Sequence, residues 1–116
     1  MRARQWRARL SAAAERDFAS ILEWTAQRFG TRQARVYRDT LEAAVRALRS
    51  GPDVPGSRLR DDISPGLYLL HVARNRRRGR HLLLYFVLSE DTIAVVRILH
   101  DSMDIGHHLP ISSEDA

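Results

Sequence analysis

Leu82-Leu83-Leu84-Tyr85-Phe86-Val87-Leu88 is the stretch whose reading decides the fold. It is far shorter than the roughly 20 apolar residues that span a bilayer as a helix. Turn-forming residues bound it on both sides: Asn75 to Gly79 before, and Ser89, Glu90 and Asp91 after. A short apolar run between such turns reads as a buried strand over Arg80 to Leu88. Two further strand-like runs flank it, Leu67 to Ala73 and Thr92 to His100. Connections this short join neighbours in an antiparallel meander. The central run is apolar on both of its faces. One face is available to helices, and the other is expected to be exposed and covered by a partner, or else covered by loops or the C-terminal tail.

Upstream, Gly51 to Gly66 carries Pro52, Pro55 and Pro65 with three glycines, and reads as a structured loop with a short helical turn near Arg58 to Asp62. Before it lie two helical patterns. Ala14, Phe18, Ile21, Leu22, Thr25 and Phe29 form one apolar stripe, with Ser11 as N-cap and Gly30 as the stop. Ala34, Tyr37, Leu41, Ala44, Val45 and Leu48 form the second, with Thr31 as cap and Gly51-Pro52 as the end. Phe18, Ile21, Leu22, Leu41, Val45 and Leu84 are expected in the core or at its edge. Gln5 to Leu10 alternates Trp6, Ala8 and Leu10 with Gln5, Arg7 and Arg9, the pattern of a half-buried strand. The expected class is α+β, order β-α-α-β-β-β, with a helical hairpin packed on a small, mainly antiparallel sheet. Residues 1–110 are expected to form one domain, with a last helical turn between Asp101 and Leu109 and a frayed tail over residues 111–116.

Nineteen basic residues face fourteen acidic ones, for a net charge of +5, and all nineteen are arginine. No lysine is present to act as Schiff base or tuned base, and no cysteine to act as nucleophile, disulfide half or zinc ligand. The arginine fork suits phosphates and carboxylates, so the field favours an anionic macromolecular partner. No apolar leader stands at the N-terminus, and the expected location is the cytoplasm, with no membrane contact.

The densest charge is Arg74-Asn75-Arg76-Arg77-Arg78-Gly79-Arg80, five arginines in seven residues. It reads as a hairpin finger for phosphates or an acidic surface, or as a solvated tip that keeps the chain soluble. His71, His81, His100, His107 and His108 do not form a ligand pattern that points to a metal, and no phosphate loop or nucleophile elbow is present. The expected cofactor is none. His100 or His107 has the chemistry for general acid work, although a polar histidine at a strand end is the commoner outcome. Trp24 extends the apolar surface of the first helix past what one sheet face needs, which suggests a groove along the helical hairpin or a tryptophan packed on the neighbouring helix.

Leu10-Ser11-Ala12-Ala13-Ala14-Glu15-Arg16-Asp17, Ile21-Leu22-Glu23-Trp24-Thr25 and Phe29-Gly30 resemble the opening of the ParE branch of the RelE/ParE toxins. Val96-Arg97-Ile98-Leu99-His100-Asp101-Ser102-Met103-Asp104, with Leu109 closing a short tail, is similar to the end of that family. Gly66-Leu67-Tyr68 to Val72 and His81 to Tyr85 are similar to its central strands. The resemblance covers Trp6 to Leu109. It implies the toxin half of a type II toxin–antitoxin pair, neutralised by a small antitoxin whose acidic C-terminal segment folds on it.

ParE-like members block DNA gyrase, whereas RelE-like members cut mRNA on the ribosome with basic residues and a C-terminal aromatic or histidine. This chain has no tyrosine after Tyr85 and no lysine, which tilts the resemblance to the gyrase type. A third reading is a non-toxic member kept as a binding module. The resemblance marks Arg97, His100, Met103 and Asp104 for target binding, with the C-terminal tail and the turn residues Arg76, Arg77, Arg78 and Arg80. Trp24 and Tyr37 are marked for the antitoxin. For the ribonuclease alternative, Arg97, His100 and His107 would carry the chemistry.

Overall fold

The computed structural model describes residues 5–108, so the expectations for Leu109 and the tail over 111–116 lie outside the described residues. Strand β1 (Arg7–Leu10) leads into helices α1 (Ala12–Phe29) and α2 (Thr31–Ala47). A single 3-10 turn, Leu48–Ser50, ends the helical part. The sheet then adds β2 (Arg58–Leu59), β3 (Tyr68–His71), β4 (His81–Val87) and β5 (Thr92–His100), and a 3-10 turn follows at Ile105–His108. Strand order is β1-β5-β4-β3-β2. Only the β1–β5 pair is parallel.

The β-α-α-β-β-β order holds, with one addition. Arg58–Leu59 is a two-residue edge strand, and the turn of helix expected near Arg58 to Asp62 begins just after it, where Ile63 and Ser64 N–H donate to the Arg60 carbonyl at 3.0 and 3.2 Å. Arg58 pairs with Leu69 and Leu59 with Tyr68, and Arg60 N–H donates to the Leu67 carbonyl. Pairing to the free edge of β3 outweighs the weak helical preference of so short a piece.

Ser11 caps α1: its Oγ accepts from Ala14 N–H at 3.1 Å and donates to the Val96 carbonyl at 3.0 Å. One hydroxyl thereby ties the start of α1 to β5. At the other end Gly30 alone turns the chain, at φ +94°, a value that side chains rarely adopt. Gly30, not Thr31, is the N-cap of α2, and no side chain caps it. A one-residue connection leaves Thr31 already inside the helix.

The core has two layers, one on each side of the sheet. Leu70, Val72, Leu83, Tyr85, Ile93, Val95 and Ile98 meet Ala14, Leu41, Ala44 and Leu48 of the helical side. Phe18, Ile21, Leu22 and Val45 pack at the edge of this layer. Leu67, Leu69, Leu84, Phe86, Ala94, Val96 and Leu99 form the opposite layer. This second face was expected to stand open or to be covered by loops or the tail. It is closed: its members are buried, and Ile63 from the loop and Ile105 from the C-terminal turn pack on it. Closing it removes the sheet as an apolar docking face among the described residues. Each leucine-sized side chain so buried stabilises by roughly 1.5–3 kcal/mol. No helix of the described residues is long and apolar enough to cross a membrane.

A register shift between Leu84 and Tyr85 breaks the β4–β5 ladder: Leu84 faces Arg97, but Tyr85 faces Val95. One extra residue on β5 reverses the alternation. Ile93 and Val95 face the helices, and after the bulge so does Ile98 rather than Leu99. Arg97 lies at this irregularity.

Candidate partner-binding surface

The stripe on α1 outruns the sheet. Thr25 is its last buried residue, with Oγ1 donating to the Ile21 carbonyl at 2.7 Å. Phe29, expected on the packed stripe, is 62% exposed, and Trp24 is 53% exposed. They contact each other edge to face at 5.9 Å, and the Arg28 guanidinium lies 5.4 Å from the Trp24 ring centre. Two aromatic side chains thus stand in solvent where α1 overhangs the core.

The overhang forms one wall of an open groove. A hollow of about 350 Å³ is lined by Trp24, Phe29, Gln33, Tyr37, the Arg78–His81 segment and His100. A second, of about 470 Å³, shares Trp24, His81 and His100 and continues to Ser20, Ile21, Ser102 and Met103. Of the residues marked from sequence, Trp24, Tyr37, Arg78, Arg80, His100 and Met103 line this surface together.

Its floor is polar and internally bonded. Tyr37 Oη accepts from Arg80 N–H at 3.1 Å and lies 2.6 Å from His81 Nδ1. The phenol can donate or accept, so the tautomer of His81 sets the direction of this bond. Burial, with the neighbouring His100 second, pulls the His81 pKa down to about 4, so the ring is neutral at physiological pH. Burial also raises the Tyr37 pKa. The His81 and His100 rings meet edge to face at 5.3 Å. His100 Nδ1 accepts from Ser102 N–H at 3.1 Å and lies 2.7 Å from its hydroxyl. Asp101 receives His71 Nε2 at 3.0 Å and Arg80 Nε at 3.1 Å, and these two partners, His71 first, hold its carboxyl below the usual range. The network anchors the base of the β3–β4 hairpin to α2 and to the end of β5.

Arg97 does not line the groove. Its Nε and a terminal nitrogen bind the two oxygens of Asp17 at 2.7 and 3.0 Å, and one of those oxygens also accepts Ile98 N–H at 2.9 Å. The Asp17 carboxylate thus satisfies the backbone of the β-bulge and occupies the arginine fork, and its hydrogen bond raises the Arg97 pKa further. Asp104 sits beyond the groove, 3.4 Å from His107 and accepting Gly106 N–H at 3.0 Å. His107 is strongly exposed there. Among the described residues no group of three or more His, Cys, Asp or Glu side chains has the arrangement to hold a metal ion.

Beyond the groove the hairpin ends in a two-residue turn. Arg77 N–H donates to the Arg74 carbonyl at 3.0 Å, and both residues between them have positive φ, Asn75 at 52° and Arg76 at 67°. That is the pattern of a type I′ turn. Arg76, Arg77 and Arg78 are exposed. Sequence reasoning missed Phe29, Gln33 and His81 as groove residues and Asp17 as the partner of Arg97. The overhang of α1 was signalled by Trp24; an ion pair 80 residues apart carries no local signal.

A sheet of order β1-β5-β4-β3-β2 under a helical hairpin is the RelE/ParE-like fold. The chain belongs to the ParE toxin family of type II toxin–antitoxin systems, whose family model, described as "ParE toxin of type II toxin-antitoxin system, parDE", matches residues 8–105. It is 36% identical over 100 residues to Toxin ParE1 of Mycobacterium tuberculosis, in strains CDC 1551 / Oshkosh and H37Rv alike, covering 86% of this chain and 94% of the relative. Among solved structures it is similar to the chromosomal ParDE system from P. aeruginosa, with a TM-score of 0.68 at 16% identity over 84% of this chain and 97% of that one. That likeness speaks to the fold.

Proposed function

We propose that this toxin arrests growth by binding DNA gyrase, without chemistry of its own, and that its antitoxin covers the Trp24–Tyr37 groove. As a toxin of a type II system it is one half of a pair with a cognate antitoxin. The observation that carries the gyrase reading is membership of the ParE branch, and the state of Arg97 supports it. An arginine whose fork is filled by Asp17 at 2.7 and 3.0 Å does not offer that fork to a scissile phosphate. In this reading Arg97 is a strut, the Arg76–Arg80 turn faces the target, and His100, Met103 and Asp104 border the contact. The ribonuclease alternative would need His100 or His107 to act without that arginine.

The groove suits a segment that is apolar on one side and acidic on the other. Trp24 and Phe29 offer exposed aromatic surface, and Arg78 and Arg80 border it with positive charge. Ordering such a segment costs several kcal/mol, which large aromatic contacts can offset.

Pulse labelling after tightly induced expression tests the target. Early loss of thymidine incorporation with methionine incorporation intact is the expected result. Early loss of methionine incorporation would transfer the reading to mRNA cleavage. Loss of neither would leave a binding module. For the groove, Trp24→Asp is expected to abolish co-elution with the antitoxin in size-exclusion chromatography, because it places a charge in an apolar contact. An unchanged complex would refute the assignment.

A further inference from the structure

We propose that the tip of the β3–β4 hairpin, Arg76, Arg77 and Arg78, is a docking element for the phosphate backbone of duplex DNA. It deepens the assignment of this turn to the target side by naming what the turn grips, and rests on the gyrase reading only in that respect.

Three observations carry it. First, the charge is uncompensated. Arg76, Arg77 and Arg78 are consecutive and exposed, and no ion pair among the described residues offsets them, whereas Arg80 at the base of the hairpin pairs with Asp101. Like charges packed into one turn repel one another, so the sequence holds them there at a cost. Second, the backbone works against the side chain. Position 76 has φ +67°, where glycine is favoured, yet it holds arginine. A residue in that region costs on the order of 1 kcal/mol, and such strain concentrates at functional sites.

Third, the base of the hairpin is locked while its tip is bare. Arg74 donates to the Pro55 carbonyl at 3.2 Å, Arg80 N–H donates to Tyr37 Oη, and Arg80 binds Asp101. Gly79 lies so close under the helices that an added Cβ would fall 2.6 Å from Val72 Cγ2 and 2.9 Å from Tyr37 Oη. The finger is therefore presented on a fixed platform.

The composition of the tip selects the ligand. Arg74 to Arg80 contains no aromatic or aliphatic side chain except through arginine stems. Single-stranded nucleic acid is held by aromatic stacking platforms, and an acidic protein surface by apolar anchors beside the charges. Arg78 borders the aromatic groove, but the outermost residues of the tip, Arg76 and Arg77, line no such apolar surface. Arginines alone, aimed outward, fit the regular phosphates of a duplex and carry no base readout.

The test is fluorescence anisotropy of the full-length toxin on a labelled mixed-sequence DNA duplex, titrated with salt and without gyrase. Three phosphate contacts predict a slope of about −2.7 in log affinity against log salt, a roughly 40-fold loss between 50 and 200 mM salt. Changing the duplex sequence is expected to leave it unmoved. Arg76→Gln with Arg77→Gln and Arg78→Gln should remove most of that slope. Arg77→Gln with Arg78→Gln alone, which leaves the turn positions untouched, should remove about two-thirds of it. Arg32→Gln with Arg35→Gln and Arg38→Gln on α2 removes equal charge and should leave the slope in place. Equal losses from the tip and α2 variants would mean bulk charge only and overturn the proposal, as would no binding by the wild type. Displacement at lower concentration by single-stranded RNA or polyglutamate would overturn it in favour of those ligands. Duplex binding without gyrase inhibition would sink the gyrase reading alone, and gyrase inhibition without duplex binding would sink this one alone.

Discussion

Arg97 and the Arg76–Arg78 turn use the same side chain for opposite ends. Arg97 sits at a β-bulge, three-quarters removed from solvent, with both faces of its fork on Asp17. The turn arginines stand in water with no carboxylate opposite. One is a fixed part of the frame that joins α1 to β5; the others leave their charge open to solvent. In a chain whose nineteen cations are all arginine, residue type cannot tell these roles apart. The partner can, and the partner of Arg97 lies 80 residues away.

Breaking the frame is expected to have the largest effect. Asp17→Ala removes the partner of Arg97 and orphans Ile98 N–H, and should cost about 2–3 kcal/mol, read as a lower urea midpoint. Side chains of this pair are 29% and 17% exposed, which places it between a surface ion pair and a buried one. A loss below about 0.5 kcal/mol would make the pair ornamental and reopen Arg97 to a functional role. Gly79→Ala comes next. Its new Cβ meets Val72 and Tyr37, and the expected cost is about 1–3 kcal/mol, in the same denaturation experiment.

The pH dependence is smaller and has a defined sign. The folded His81 pKa of about 4 lies below its ordinary 6.5. As pH falls through that interval the unfolded chain takes up a proton that the folded protein refuses, so stability declines from about pH 6.5 to 4 and is unaffected above it. Tyr37, His100, His71 and Asp101 surround the ring or act on it, and Asp101, whose pKa is depressed, adds its own loss only at lower pH, below the ordinary carboxylate value. His81→Asn should flatten the urea midpoint between pH 6.5 and 4.5; an unaltered profile would place the titration elsewhere. The turn should respond least. Arg76→Gly relieves the positive φ and is expected to raise stability by about 0.5–1 kcal/mol, while substitutions at Arg77 and Arg78 stay within about 0.5 kcal/mol of the wild type. A clear loss there would mean that the tip belongs to the frame after all.

The β-α-α-β-β-β order was legible because its signals are local. Ser11 caps, Gly30 turns, and the run Leu82–Leu88 lies between two polar turns. Arg58–Leu59 was not legible as strand because a two-residue strand exists only through its neighbour. Whether the second sheet face was open or covered could not be read from its own residues either: Ile63 and Ile105 cover it from a loop and a turn whose positions are set by tertiary packing. Trp24 was legible at the surface because the first helix carries more apolar surface than one sheet face can absorb, whereas Tyr37 read as part of the packed stripe of the second helix and was marked for the groove only through the family resemblance. His81 was not legible as a groove residue, since its burial and its bond to Tyr37 arise only when β4 meets α2.

The most direct measurement is ATP-dependent supercoiling of a relaxed plasmid by purified DNA gyrase with increasing toxin. Supercoiling is expected to stop at near-stoichiometric toxin while a cell-free translation reaction with the same toxin continues. Unimpeded supercoiling beside arrested translation and cleaved mRNA would contradict the gyrase reading.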